Sequence, residues 1–210
     1  MPTHLYRDED MVEAVTRKHI AMGRLTFQYW LLYPNEKQHA AAVLDIVKPG
    51  HRDRIVSLGC GVGGMEAHWA RMRPDLRFTL VNRSPSQLAM CACPGERIRA
   101  DVEHWQPEGE PFDLAVLAYV LGHVNTPVVL ANARALAKRV LVLDMFDDDE
   151  GAMRDLVGYE CPWSDQMREH FECLSTGWPW HLTVALDDES PFTRRVVERT
   201  KPAMWLSKED

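Results

Sequence analysis

At 210 residues, with 46% hydrophobic and 26% charged residues and a formal charge of −7, the chain has room for one sizeable α/β core and is not disordered by composition. The acidic balance argues against nucleic acid as a partner, because phosphate neutralisation by a broad basic face dominates that kind of affinity. The longest apolar run, Leu114 to Leu121, is too short to span a bilayer, so no membrane partner is expected, and five cysteines without C-x-x-C spacing fit a cytoplasmic protein with no zinc site.

Asp8 to Met22 reads as an amphipathic helix with Met11, Val12, Val15, His19 and Met22 on one face. Arg24 to Tyr33 follows, carrying Phe27, Tyr29, Trp30 and Tyr33, and Pro34-Asn35 stops it. A third helix is predicted from Glu36 to Val47, closed by Pro49-Gly50. Residues 1–50 are thus expected to form an N-terminal helical cap on a core spanning 51–210, the two making one structural domain.

Within the core, short apolar segments at 54–58, 77–82, 97–100, 112–118 and 139–145 are predicted strands. Helices alternate with them, which implies a mostly parallel, doubly wound Rossmann-like sheet with helices on both faces. After Asp144 the pattern loosens into an acidic loop, then a helix from Ser164 to Phe171. Trp180 to Leu186 reads as a sixth strand and Pro202 to Leu206 as a seventh, antiparallel at the edge. The carboxylates from Asp144 to Glu150 lack the alternating spacing of a calcium loop, so no metal is expected. Arg194, Arg195, Arg199 and Lys201 are interleaved with acids and read as a solvated face.

The first strand, Arg54 to Leu58, runs directly into Gly59, Cys60, Gly61, Val62, Gly63 and Gly64. Glycines at the top of a strand let backbone approach a ligand without a Cβ in the way. The spacing G-x-G-x-G-G differs from the G-x-G-x-x-G of dinucleotide sites. Leu58 to Gly64 resembles the first motif of the class I S-adenosylmethionine-dependent methyltransferases, and the doubled Gly63-Gly64 is similar to the subgroup that methylates small molecules.

That resemblance implies a set of expectations. Gly59, Cys60, Gly61 and Gly63 would bind the methionine end of S-adenosylmethionine. Asn82 would hold the ribose in place of the family's usual acid, with Arg83 and Gln87 beside it in a segment, Asn82 to Leu88, similar to tocopherol, sterol, sugar and prenyl-diphosphate methyltransferases. Asp101 would accept from the adenine amino group while the Val102 backbone N–H meets a ring nitrogen, and Trp105 would flank the ring or join the core. Tyr29, in a segment resembling the subgroup's Gly-Tyr-Trp, would help cover the cofactor.

Leu121-Gly122-His123-Val124 resembles the family's Leu-Glu-His-Val without its glutamate, leaving His123 as the catalytic candidate, since a neutral imidazole accepts a proton near neutral pH. Tyr119, Asp144 and His181 are weaker candidates. Trp163, Trp178 and Trp180 could line an apolar pocket for a small, apolar or aromatic acceptor. Ser57 stands where the family often has an acid, and with Asn82 and Gly122 this departure favours a rival reading: a weak or inactive methyltransferase-like interaction subunit. Methylation of RNA or protein is the third alternative.

Overall fold

The computed structural model describes residues 8–21, 23, 35–147, 167–168, 170–176 and 200–207. Two helices, α1 (Glu9–Ala21) and α2 (Glu36–Val47), precede the sheet. The core follows as β1 (Arg54–Leu58), α3 (Gly64–Met72), β2 (Arg77–Asn82), α4 (Pro85–Ala89), β3 (Glu96–Arg99), β4 (Phe112–Ala118), a 3-10 turn (Leu121–His123), α5 (Thr126–Leu136), β5 (Ala137–Asp147), β6 (Phe171–Thr176) and β7 (Thr200–Ser207). The predicted segment 24–33, with Tyr29, lies outside the described residues, as do Trp163, Trp178, Trp180, His181 and the span 180–186.

The seven strands lie in the order β3-β2-β1-β4-β5-β7-β6. The first five are parallel, and β7 runs antiparallel to both β5 and β6. Strand residues alternate between two cores. Ile55, Leu80, Leu114, Val116 and Leu141 pack under α2 and α3, while Val56, Val81, Ala115, Leu117 and Val142 pack with α5 residues Val129 and Ala133. Trp69 of α3, fully buried, locks the first layer by donating its indole N–H to the Ala40 carbonyl of α2 at 2.8 Å.

Four sequence expectations need correction. No helix joins β3 to β4 among the described residues, because Pro107, Gly109 and Pro111 break any such run and Asp101 opens a tight turn instead. The predicted helix to Phe171 ends earlier: Met167 and Arg168 are helical, but Phe171 starts β6, and the acidic stretch after Asp144 continues β5 as far as Asp147. The strand holding Pro202 is antiparallel as expected but interior, with β6 outside it. Pro202 is tolerated there because the β6 pairing stops at Ala203, so no N–H is needed at Pro202 on that side.

The order of connections matters for function. The chain runs outward from β1 through β2 to β3, then returns to lay β4 on the other side of β1. The strand order therefore reverses between β1 and β4, and open α/β sheets bind ligands beyond the carboxyl ends of the strands at such a point.

Candidate active site

A cleft opens at that switch point, with about 670 Å³ of empty space counting its open mouth. Gly59 and Gly61 form one wall, and Asn82, Arg83, Gln87, Asp101 and Val102 the β2–β3 side. Tyr119, Val120, His123 and Val124 form the β4 side.

Gly59 has φ +73°, and a Cβ there would fall 2.4 Å from Val120 Cγ2, so glycine is required by both conformation and the close approach of the β4 exit. Its amide and that of Cys60 both donate to the Val81 carbonyl, at 2.8 and 3.1 Å, which pins the start of the turn to β2. Gly61, φ +56°, is different. A Cβ there would meet no atom within 4 Å and would stand in the cleft. Gly63, φ +62°, faces away from the cleft lining, its Cβ position 2.7 Å from Cys91 Sγ. Gly63 is also the N-cap of α3 and offers no side chain, so the first turn of that helix has no side-chain cap.

Asn82 closes β2 and is almost fully consumed by the protein. Its Nδ2 donates to Gln87 Oε1 at 2.8 Å and to the Gly61 carbonyl at 3.3 Å, and its Oδ1 accepts the Arg83 amide at 2.9 Å. One acceptor position on Oδ1 is left. Gln87, buried, reaches on to Thr16 Oγ1 of α1 at 3.5 Å. Glu9 of α1 accepts from Ser84 Oγ, Ser86 Oγ and the Ser86 amide at 2.6–3.0 Å. Burial opposes its charge, but these hydrogen bonds prevail and hold its carboxyl below the usual range. The first helix is thereby fastened over the rim of the cleft.

Across β3, Asp101 Oδ1 accepts the Glu103 amide at 3.0 Å, and the Asp101 carbonyl accepts from His104 and Trp105, shaping a turn. Glu103, not anticipated as a site residue, also lines the cleft, and its Oε1 accepts the Asn125 amide at 2.8 Å, tying this turn to the start of α5. Trp105 turns away and packs on Phe112, with ring centroids 6.3 Å apart, so its role is in the core.

On the β4 side, Tyr119 is held at φ +55°, a strained conformation for a bulky side chain, with its amide on the Leu143 carbonyl at 2.7 Å. Asp144, fully buried at β5, accepts the Leu121 amide at 2.9 Å and so fixes the 3-10 turn that carries His123. Burial pushes the His123 imidazole down to about 4, which leaves it neutral across the physiological range. Among the described residues no group of histidine, cysteine or acidic side chains is arranged to hold a metal ion.

Beneath the turn, Ser57 donates to Glu66 Oε1 at 2.6 Å. Burial raises the Glu66 carboxyl, with the Ser57 hydrogen bond opposing. The acid expected at position 57 is thus replaced by one reaching across from α3. The signal in the sequence was a lone acid inside a helix otherwise led by Met65, Ala67 and Trp69. Cys60 lines no part of the cleft.

Residues 55–142 match the family model described as a methyltransferase domain. No curated protein matches the sequence. Among solved structures, the (4+2)-cyclase SpnF is similar over 99% of this chain and 96% of its own, at 14% identity and TM-score 0.74. The plantazolicin methyltransferase BpumL, solved with a desmethyl-plantazolicin analogue and SAH, gives TM-score 0.63 at 13% identity, covering 98% of this chain and 93% of its own. A SAM-dependent methyltransferase from Geobacter sulfurreducens, solved with S-adenosyl-L-homocysteine, gives 0.63 at 11% identity, covering 93% and 97%.

Proposed function

We propose that this chain, whose residues 55–142 match a methyltransferase domain, is a class I S-adenosylmethionine-dependent methyltransferase that methylates a small, apolar or aromatic molecule. One observation carries this reading: a single cleft at the sheet's switch point joins the glycine turn to Asn82 and Asp101 on one side and to Tyr119, Val120, His123 and Val124 on the other. The cleft fits the cofactor because Gly61 presents bare backbone to open space where any side chain would intrude.

When bound, S-adenosylmethionine supplies an activated methyl group on its sulfonium. Gly59 and Gly61 would receive the methionine end. Asn82 chiefly clamps the Gly61 carbonyl and Gln87, and offers its remaining acceptor position to a ribose hydroxyl. Arg83 and Gln87 complete that wall, Gln87 by orienting Asn82. Asp101 has carboxylate acceptor capacity for an exocyclic amine, next to the backbone of Val102. Gly63 acts by letting α3 settle on Cys91, and Cys60 from behind the turn, rather than by touching the ligand. Tyr29 and the rest of the N-terminal segment would cover the site, with α1 already docked on α4.

The acceptor would sit against Tyr119, Val120 and Val124, whose apolar surface favours an apolar or aromatic molecule. His123 is a weak base at best, since burial disfavours its protonated form. Its neutral nitrogen can orient an acceptor hydroxyl and take its proton after transfer, while positioning supplies most of the rate.

The test is incubation with methyl-labelled S-adenosylmethionine and a library of small phenols, acids and prenyl compounds, followed by mass detection of the labelled product. Label found only in RNA or protein, or in nothing, would remove this reading. A second reading, cofactor binding without methyl transfer, draws on the similarity to a cyclase at TM-score 0.74. It requires S-adenosylhomocysteine to bind while label stays on the donor.

A further inference from the structure

Three cysteines gather behind the glycine turn, and the function above uses none of their thiol chemistry. Cys60 stands in the turn itself, half-buried, between the two glycines that line the cleft. Cys91, 7% exposed, follows α4 with its Sγ against the glycine turn, and Cys60, whose Sγ donates to the Gly61 carbonyl at 3.5 Å, packs against the same buried cluster. The two segments are held in register by backbone: the Ala92 amide donates to the Val62 carbonyl at 2.9 Å, and Gly63 rests on Cys91 Sγ. Cys93, fully buried, is turned aside, its Sγ donating to the Pro94 carbonyl at 3.3 Å.

We propose that Cys60 and Cys91 are a peroxide-oxidisable pair, and that the disulfide between them displaces the glycine turn and weakens cofactor binding. The effect on binding rests on the reading that this cleft holds S-adenosylmethionine.

The chemistry is asymmetric. The neighbouring Cys60 thiol holds the Cys91 thiol below its ordinary value, against burial, with help from the Cys93 amide and the nearby charge of Arg97, whose guanidinium donates to the Cys91 carbonyl at 3.0 Å. The Cys91 sulfur, burial and the Glu66 carboxyl push Cys60 up. Cys91 is therefore the attacking thiolate and Cys60 the resolving thiol. In the first step the Cys91 sulfur displaces water from hydrogen peroxide and becomes a sulfenic acid. In the second, the Cys60 sulfur attacks it, the S–S bond forms, and a second water leaves. Two thiols lose two electrons in all, and one peroxide becomes two waters.

The disulfide brings the two sulfurs to about 2.05 Å. Cys60 must move toward α4 to close it, and Gly59 and Gly61 move with it. Gly59 has no slack against Val120.

The experiment treats the full chain with graded hydrogen peroxide, maps disulfides by peptide mass spectrometry, and measures S-adenosylhomocysteine binding by calorimetry before oxidation, after it, and after dithiothreitol. A Cys60–Cys91 peptide is expected, with affinity reduced roughly tenfold or more and restored by the reductant. Cys93→Ser should still form the link, and Cys91→Ser should keep its affinity through peroxide. No link, a Cys91–Cys93 link instead, or a Cys60–Cys91 link with unchanged affinity would each overturn the proposal. Binding by the reduced protein separates the two claims: its absence sinks the cofactor reading and the control together, whereas binding without a link sinks only the oxidation.

Discussion

The two rims of the cleft are built differently. On the β1–β2 side nearly every polar group is committed: Asn82 to Gly61, Gln87 and Arg83, Gln87 to Thr16, and Glu9 to Ser84 and Ser86. On the β4–β5 side a strained tyrosine, a half-buried neutral histidine and a fully buried aspartate hold the ground. The first rim is a mould held by side-chain hydrogen bonds, the second a chemical surface positioned by backbone contacts and one buried carboxylate. Changes in the first should therefore cost fold or affinity, and changes in the second turnover.

The sharpest break within the first rim is between its glycines. Gly59→Ala meets Val120 at 2.4 Å and keeps an unfavourable φ, so chemical denaturation should register a loss of about 3 kcal/mol. Gly61→Val, strained at φ +56° but meeting no neighbour, should still fold with a smaller stability loss, yet lose S-adenosylhomocysteine affinity by about 100-fold or more, close to 3 kcal/mol. Equal unfolding of both variants would erase the distinction between a packing glycine and a ligand-facing one.

In the second rim, Asp144→Ala strands the buried Leu121 amide and loosens the turn under His123. With a productive acceptor, kcat should fall roughly 10- to 100-fold with cofactor affinity nearly unchanged, as expected for a positioning residue. A fall in cofactor affinity alone would move Asp144 to the other rim. Asn82→Ala should do the reverse, weakening cofactor binding roughly tenfold through the freed Gly61 carbonyl.

The smallest effect is on stability against pH. Burial, the larger influence, lowers His39 to about 4, with Glu36 opposing; His123 is lowered to about 4 by burial alone. The unfolded chain therefore takes up these protons first. Stability on their account is nearly constant above about pH 7.5 and falls as pH drops through 6.5 toward 4, by about 1 kcal/mol between pH 7 and 6. His39→Leu should roughly halve that slope in denaturation series across the window.

The same contrast governs what the sequence could reveal. The β1 and β2 spans, the Glu36–Val47 helix and the turn at Gly59 were readable because apolar runs, Pro-Gly stops and clustered glycines are local signals. The order strand, helix, strand misled between β3 and β4, where a proline-rich return replaces the helix. Pro202 pointed to an edge strand because pairing that ends one residue away leaves no local trace. At the cleft, glycine type alone could not separate Gly61, open to the ligand, from Gly63, packed on Cys91. Glu66 standing in for an acid at 57, and Glu103 joining two loops, are contacts across the fold that no spacing encodes. Tyr119 is strained by its surroundings, and tyrosine is no marker of left-handed backbone.

Calorimetric titration of S-adenosylhomocysteine into the wild-type chain and into Gly61→Val, each confirmed folded by circular dichroism, tests the central claim most directly. Saturable one-to-one binding to the wild type, lost in the variant, is the expected result. Equal binding to both would show that the glycine turn does not face the cofactor, and binding to neither that the cleft at the switch point is not its site.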